Sequence, residues 1–161
     1  MVRLSVPGTL LYRDTVLRAV ASVCRLLRSG LQEKQEADQD PVRLTEEFDN
    51  KVVSAVGEAF NNIALHAYAG SPPGNAQLEL EFHGTLLTIR LLDTGKGFDP
   101  LLQLEPDLVS LPESHLGLFI IQECMDEVSY RRGVGLKPNV LTLMKRYFAA
   151  DDTTVESPVI D

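Results

Sequence analysis

Residues 57–68, which read GEAFNNIALHAY, decide the predicted fold because they combine an apolar helical face with polar side chains beside it. The apolar face recurs at helical spacing and comprises Leu44, Phe48, Val52, Val56, Phe60 and Ile63. This spacing predicts the longest helix of the chain, which starts after Pro41 and runs to about Tyr68.

Beside that face, Glu58 and Asn62 are four residues apart and therefore lie on one side of the helix, and His66 extends the same stripe. An amide oxygen is a suitable ligand for Mg²⁺, and a carboxylate can accept a proton from an attacking hydroxyl group. The same stripe is also typical of an exposed polar edge. The helix alone leaves both interpretations open.

Working outward from this helix, alternating and helical patterns predict the remaining elements. The predicted strands are Leu4–Val6, Ala76–Phe82, Leu86–Leu92, Val128–Arg131 and Val140–Phe148. A first helix is expected from Tyr12 to about Leu27, with Ser29-Gly30 as its stop. Gln32–Asp40 is polar and acid-rich, which favours a solvated connector and has the end of a helix as its alternative. A last helix is expected from His115 or Leu116 to about Met125.

This order of elements predicts an α/β fold of the two-layer α+β type, with a mixed, mostly antiparallel sheet and helices on one face. The two strands between Ala76 and Leu92 read as an antiparallel hairpin around His83-Gly84-Thr85. One domain is expected over residues 1–148, followed by a polar tail at 149–161.

A second polar motif, Asp93-Thr94-Gly95-Lys96-Gly97, follows the strand that ends at Leu92. A buried carboxylate there can accept a hydrogen bond from an exocyclic amine such as that of adenine. Gly95 and Gly97 permit close approach of the backbone to a ligand. An ordinary turn after a strand often contains the same residue types, so this motif alone also leaves two interpretations open.

The long segment from Gly95 to Glu113 is predicted to be a lid or binding loop, and a helix is expected to follow it. The start of this helix contains Ser114, His115, Leu116 and Gly117, with Ser114 as the N-cap. The free N–H groups of a helix N-terminus suit phosphate. The alternative for His115 is a solvated residue of the first turn.

The bulk composition narrows the class of protein. The formal net charge is −8, which argues against non-specific binding to DNA or RNA. The N-terminus lacks the apolar core of a signal peptide, and no run is long enough to cross a bilayer. Cys24 and Cys124 are far apart and belong to no metal-binding cluster. We therefore expect a cytoplasmic protein without a membrane partner or a direct nucleic-acid partner.

Taken together, the motifs resemble the GHKL ATPases (the Bergerat-fold, histidine-kinase-like superfamily), which include histidine kinases and gyrase. Within this superfamily, the chain looks most like the anti-sigma factor serine/threonine kinases. The stretches that carry this resemblance are residues 57–68, Leu116–Ile121, Met125–Val128 and Asn139–Leu143. The resemblance extends over residues 2–148. No helix pair carrying a phospho-accepting His precedes the ATPase segment, so a sensor histidine kinase is disfavoured.

The resemblance implies ATP and Mg²⁺ as cofactors and a role for each matching residue. Glu58 would be the general base, Asn62 would bind Mg²⁺, and Asp93 would hold the adenine amine, with Gly95 and Gly97 shaping that wall. The other residues implied at the nucleotide are His66, Ser114, His115, Leu116 and Gly117. The implied partners are a STAS-domain anti-anti-sigma protein, a sigma factor or comparable target, and a second copy in a homodimer.

The chain departs from the family in two places. Ser114-His115 stands where relatives usually have one or two glycines, and Pro138-Asn139 stands where the family often has a Gly before the last strand. These departures favour the alternative function, a non-catalytic switch that binds nucleotide weakly or not at all. Glu58 and Asn62 favour the kinase.

Overall fold

The structure is a computed structural model, and it describes residues 1–35, 46–97 and 113–147, without the side chains of 31–35 and 113–115. The predicted tail and most of the predicted lid lie outside these residues. The strands are β1 (Val2–Pro7), β2 (Asn75–His83), β3 (Leu86–Asp93), β4 (Glu127–Arg131) and β5 (Asn139–Arg146). The helices are α1 (Arg13–Gln35), α2 (Glu46–Asn62) and α3 (Glu113–Cys124), with a 3₁₀ turn at Leu10–Tyr12 and a π-helical turn at Ile63–Ala67.

The five strands form one sheet in the order β1-β2-β3-β5-β4, and every pairing is antiparallel. The two-layer prediction is confirmed, but the described sheet has no parallel pair and is not mixed. Successive residues of each strand face opposite sides of the sheet. In register, Leu80 lies opposite Ile89, which lies opposite Leu143, and all three are buried. On the other face Glu79 lies opposite Arg90, which lies opposite Thr142.

All three helices contribute to the core on the apolar face of the sheet. α2 lies between α1 and α3 and contacts both. Val20, Val56 and Ile121, one from each helix, are fully buried in the same cluster as the inward residues of the sheet. This places the C-terminal end of α2 over the end of β3, where the two polar motifs meet. None of the helices in the described ranges has the length and apolarity needed to cross a membrane.

α1 is longer than predicted, because it continues through Ser29-Gly30 to Gln35. The connector predicted to begin at Gln32 is therefore still helical in its first four residues, and the rest of it lies outside the described ranges. Burial in this helix raises the pKa of the Cys24 thiol to about 12, which makes it a packing residue at neutral pH.

α2 ends differently from a regular helix. After Asn62 it widens into the π-helical turn Ile63–Ala67, which ends one residue before the predicted limit at Tyr68. A π turn takes one extra residue per hydrogen-bonded ring, so it shifts the faces of the residues that follow. This shift determines which side chains of the motif face the sheet.

Candidate functional site

The Asp93 carboxylate is the buried polar centre of the site. Asp93 is the last residue of β3 and is 9% exposed. Its Oδ1 accepts hydrogen bonds from the backbone N–H of Gly95 (2.8 Å) and from Nδ2 of Asn139 (2.9 Å). Among the residues that the structure describes, its hydrogen bonds all run to Oδ1, which leaves Oδ2 as an acceptor for a ligand.

Asn139 supports the Asp93 carboxylate, and the sequence assigned it no role. It opens β5 directly opposite Asp93 and is 4% exposed. Its Nδ2 donates to Asp93 and to the carbonyl oxygen of Gly95 (3.2 Å), and its Oδ1 accepts from the N–H of Gly133 (2.9 Å). One buried amide thus joins β3, the loop after it and the β4–β5 connection. The signal available in the sequence was a polar residue at the head of an apolar strand.

The loop after Asp93 is fixed against the π-helical turn. The N–H of Lys96 donates to the carbonyl oxygen of Ala67 (2.8 Å), and Gly95 packs directly on Ala67. A Cβ at Gly95 would overlap the Ala67 carbonyl and lie 2.7 Å from the Ala67 Cβ, so only glycine fits there. The Tyr68 hydroxyl accepts from the N–H of Thr94 (3.1 Å) and holds the other side of the loop.

Gly97 ends the described part of this loop in a left-handed conformation, with φ +71°. This backbone conformation favours glycine, and its surroundings are tight, since a Cβ would lie 3.0 Å from Asn139 Oδ1. Arg132 Nη2 donates to the carbonyl oxygen of Lys96 (3.1 Å). The predicted shaping role of Gly95 and Gly97 thus has a geometric basis.

Asn62 and Asp93 meet in one cavity between α2 and the sheet. The residues that line it are Ala59, Asn62, Ile63, Ala67, Leu91, Asp93, Tyr130 and Leu141. Its volume of about 30 Å³ gives room for only a water molecule or two. A purine ring therefore needs the cavity to widen, with its apolar walls on both sides and the Asp93 carboxylate at its end.

Glu58 lies one turn before Asn62, beside α3. A Cβ at Gly117 would lie 2.8 Å from Glu58 Oε2, so the carboxylate rests against the bare Cα of Gly117. Asn61 Nδ2 lies 3.5 Å from each oxygen of the same carboxylate. The half-buried Glu58 and Asn62 thus share the C-terminal end of α2, with Glu58 against α3 and Asn62 facing the cavity.

The structure does not bring His66 into this group. His66 is exposed and does not line the cavity, because the π-helical turn places Ala67 on the cavity side instead. The predicted stripe of three polar residues therefore ends at Asn62.

The start of α3 also differs from the prediction. The helix begins at Glu113, so Ser114 lies in its first turn and is not the residue before it. The side chains of Ser114 and His115 are outside the described residues, and Leu116 is 50% exposed. In the residues with described side chains, no group of three or more His, Cys, Asp or Glu could hold a metal ion.

Comparison with known proteins gives consistent matches. The profile of the histidine kinase-like ATPase domain matches residues 13–145. The anti-sigma F factor of Clostridium beijerinckii is 34% identical over 94 residues, which cover 55% of this chain and 66% of that protein, just under two thirds. The serine-protein kinase RsbW of Staphylococcus epidermidis is 31% identical over 134 residues, which cover 78% of this chain and 80% of the relative. RsbW of Oceanobacillus iheyensis is 27% identical over 147 residues, with 86% and 85% covered.

A solved structure also matches the fold. The histidine kinase domain of the blue-light activated histidine kinase from Erythrobacter litoralis EL346 superimposes with a TM-score of 0.52 at 16% identity. The match covers 80% of this chain and 61% of that chain. At this identity the likeness concerns the fold alone.

Proposed function

This chain belongs to the family of histidine kinase-like ATPase domains, and on that premise we propose that it is an anti-sigma factor with ATP-dependent serine kinase activity. It phosphorylates a STAS-domain anti-anti-sigma partner and sequesters a sigma factor or comparable target. It acts in the cytoplasm as a homodimer. The observation that carries the proposal is that Asn62, on the end of α2 that also bears Glu58, lines one cavity with the buried Asp93 at the end of β3.

Each residue has a role in this proposal that its surroundings support. Asp93 Oδ2 accepts from the adenine amino group, because Oδ1 is already held by Gly95 and Asn139. Asn62 would supply one oxygen ligand to Mg²⁺, a cation that prefers hard oxygen donors. The bound cation would neutralise charge on the transferred phosphoryl group. The fit of Mg²⁺ to this site rests on the side-chain amide oxygen of Asn62, a hard ligand at the edge of the cavity.

Glu58 accepts the proton of the attacking serine hydroxyl. Its half-buried position keeps it accessible to a partner protein, and Gly117 leaves space for its carboxylate. In the first turn of α3, the backbone N–H groups of Ser114 and His115 lack a partner within the helix and are the donors proposed for the phosphates, with Leu116 and Gly117 beside them.

The test is transfer of γ-labelled phosphate from MgATP to a STAS-domain protein from the same organism. Glu58→Gln keeps the shape of the side chain and removes the base, so the rate of transfer should fall by about 10²- to 10⁴-fold while MgATP still binds. Glu46→Gln is the matched control, because Glu46 is an exposed carboxylate on the same helix. Equal rates for wild type and Glu58→Gln would contradict the role of Glu58.

A second function is favoured by a specific observation, the small volume of the cavity, about 30 Å³. A non-catalytic switch that works through protein contacts needs no wider nucleotide site, and the substitutions at Ser114-His115 and Pro138 agree with it. Calorimetry separates the two functions. Magnesium-dependent ATP binding without transfer to the cognate partner supports the switch, and absence of any nucleotide binding contradicts the kinase.

A further inference from the structure

A row of three polar side chains crosses from α1 to the end of α2. Arg13 is the first residue of α1, and Asn61 is the residue before the proposed metal ligand on α2. Arg13 Nε donates a hydrogen bond of 2.8 Å to Asn61 Oδ1. The contact joins residues 48 positions apart and is partly buried, so it is a tertiary feature of the fold.

This hydrogen bond determines which way the Asn61 amide faces. A guanidinium group can only donate, so the side-chain oxygen of Asn61 must face Arg13 and its NH₂ group must face away. On that far side, Nδ2 lies 3.5 Å from both Oε1 and Oε2 of Glu58. This separation is at the long limit for a hydrogen bond, so the amide orients the carboxylate by a weak, symmetric attraction.

Two glycines make the row sterically feasible. A Cβ at Gly57 would lie 3.2 Å from Arg13 Nη2, so the bare backbone of α2 leaves space for the guanidinium group. At the other end, Gly117 leaves space for Glu58 Oε2. The Glu58 carboxylate therefore lies between the Asn61 amide and the backbone of α3.

We propose that Asn61, oriented by Arg13, is a positioning residue for the Glu58 carboxylate. The inference rests on the proposed function, in which Glu58 accepts the proton of the substrate hydroxyl. A general base works only within hydrogen-bonding reach of that proton, and a carboxylate on a flexible side chain needs a partner to keep it there.

The experiment measures phosphoryl transfer by Asn61→Ala and Asn61→Asp. Loss of one hydrogen-bonding partner predicts a kcat about three- to tenfold lower for Asn61→Ala, with the Kd for MgATP unchanged. Asn61→Asp preserves the acceptor for Arg13 but presents an acceptor to Glu58, so its kcat should fall at least as far. A purely structural role would tolerate this isosteric change. If Asn61→Ala fails to fold, Asn61→Asp provides the test.

A double-mutant cycle then separates positioning from a general effect. If Asn61 acts through Glu58, Asn61→Ala should have no further effect on kcat in a Glu58→Gln background. Arg13→Ala should behave like Asn61→Ala. Arg18→Ala should not, because Arg18 forms an exposed ion pair with Asp14 on the same helix.

The outcomes distinguish this inference from the function on which it rests. A wild-type enzyme that transfers phosphate, together with unchanged kcat values for both Asn61 variants, overturns the inference and leaves the kinase proposal standing. If Asn61→Ala lowers kcat by the same factor in the Glu58→Gln background as in the wild type, that result also overturns the inference. A wild-type protein that transfers no phosphate contradicts both.

Discussion

At the scale of single residues, the site depends on places where a side chain is absent. Gly95 and Gly117 both leave space that a methyl group would fill, but their neighbours differ. Gly95 meets the backbone of Ala67, which cannot move without disturbing the π-helical turn. Gly117 meets the end of the flexible Glu58 side chain, which can rotate away. The same substitution should therefore affect folding at one position and chemistry at the other.

Gly117→Ala is predicted to lower activity without lowering stability. The new Cβ would lie 2.8 Å from Glu58 Oε2 and displace the carboxylate. Displacement of a reacting group by about 1 Å can cost about 10²-fold in rate. Alanine in a helix interior is favoured over glycine by about 1 kcal/mol, so urea unfolding should show an equal or higher free energy. A large drop in that free energy would show that Gly117 is a packing residue instead.

Whether the sequence predicted a residue of the site depends on how far along the chain that residue lies from its partner. The spacing of Glu58 and Asn62 and the turn after Asp93 are local patterns, so the sequence predicted them. Asn139 and Asn61 act through contacts 46 and 48 residues away, and no local pattern records such a contact. Their roles became visible only when the sheet register and the helix packing were known.

At the scale of elements, the helices differ from prediction at their limits, namely at the ends of α1 and α2 and at the start of α3. Gly30 is a frequent stop signal, but α1 continues past it to Gln35. The π-helical turn at the end of α2 has no sequence signature, because regular helical spacing describes residues 57–68 equally well. The strands were predicted closely, since their alternation reflects one buried face.

Gly30→Ala should stabilise the protein if α1 passes through this position. A Cβ there would meet no atom within 4 Å, and its φ is not positive. The free energy of unfolding should rise by about 0.5–1 kcal/mol. Gly84→Ala is the matched control, because Gly84 also has open space but has φ +56°. The free energy of unfolding of Gly84→Ala should fall by about 1–2 kcal/mol. Destabilisation by Gly30→Ala would place Gly30 outside a helix.

At the scale of the whole molecule, Tyr147 connects the two layers. Its hydroxyl donates to the carbonyl oxygen of Gly84, and its N–H donates to that of Thr85 (3.0 Å), so the chain after β5 is held against the β2–β3 turn. Its ring packs edge-on against Phe48 in the first turn of α2, with ring centroids 6.1 Å apart. Burial raises the pKa of the Tyr147 hydroxyl above its usual value.

Tyr147→Phe tests this connection through its pH dependence. The hydrogen bond should make wild type more stable than the variant by about 1 kcal/mol at pH 7. The folded protein favours the neutral phenol, so this advantage is fully present below the unfolded pKa of about 10 and is lost as the pH rises through the higher folded value. Urea titrations of both proteins at pH 7 and pH 10.5 measure it. A difference that is constant or grows with pH would refute the assignment.

The π-helical turn has a consequence for anyone who would transplant this site into another protein. Copying Glu58 and Asn62 onto a regular helix would reproduce two side chains but lose the carbonyl oxygen of Ala67 that holds Lys96. The smallest portable unit is therefore α2 together with its widened end and the loop from Asp93 to Gly97. A regular helical turn holds one residue fewer than this π-helical turn. On such a helix, His66 would lie where the loop after Asp93 has to pack.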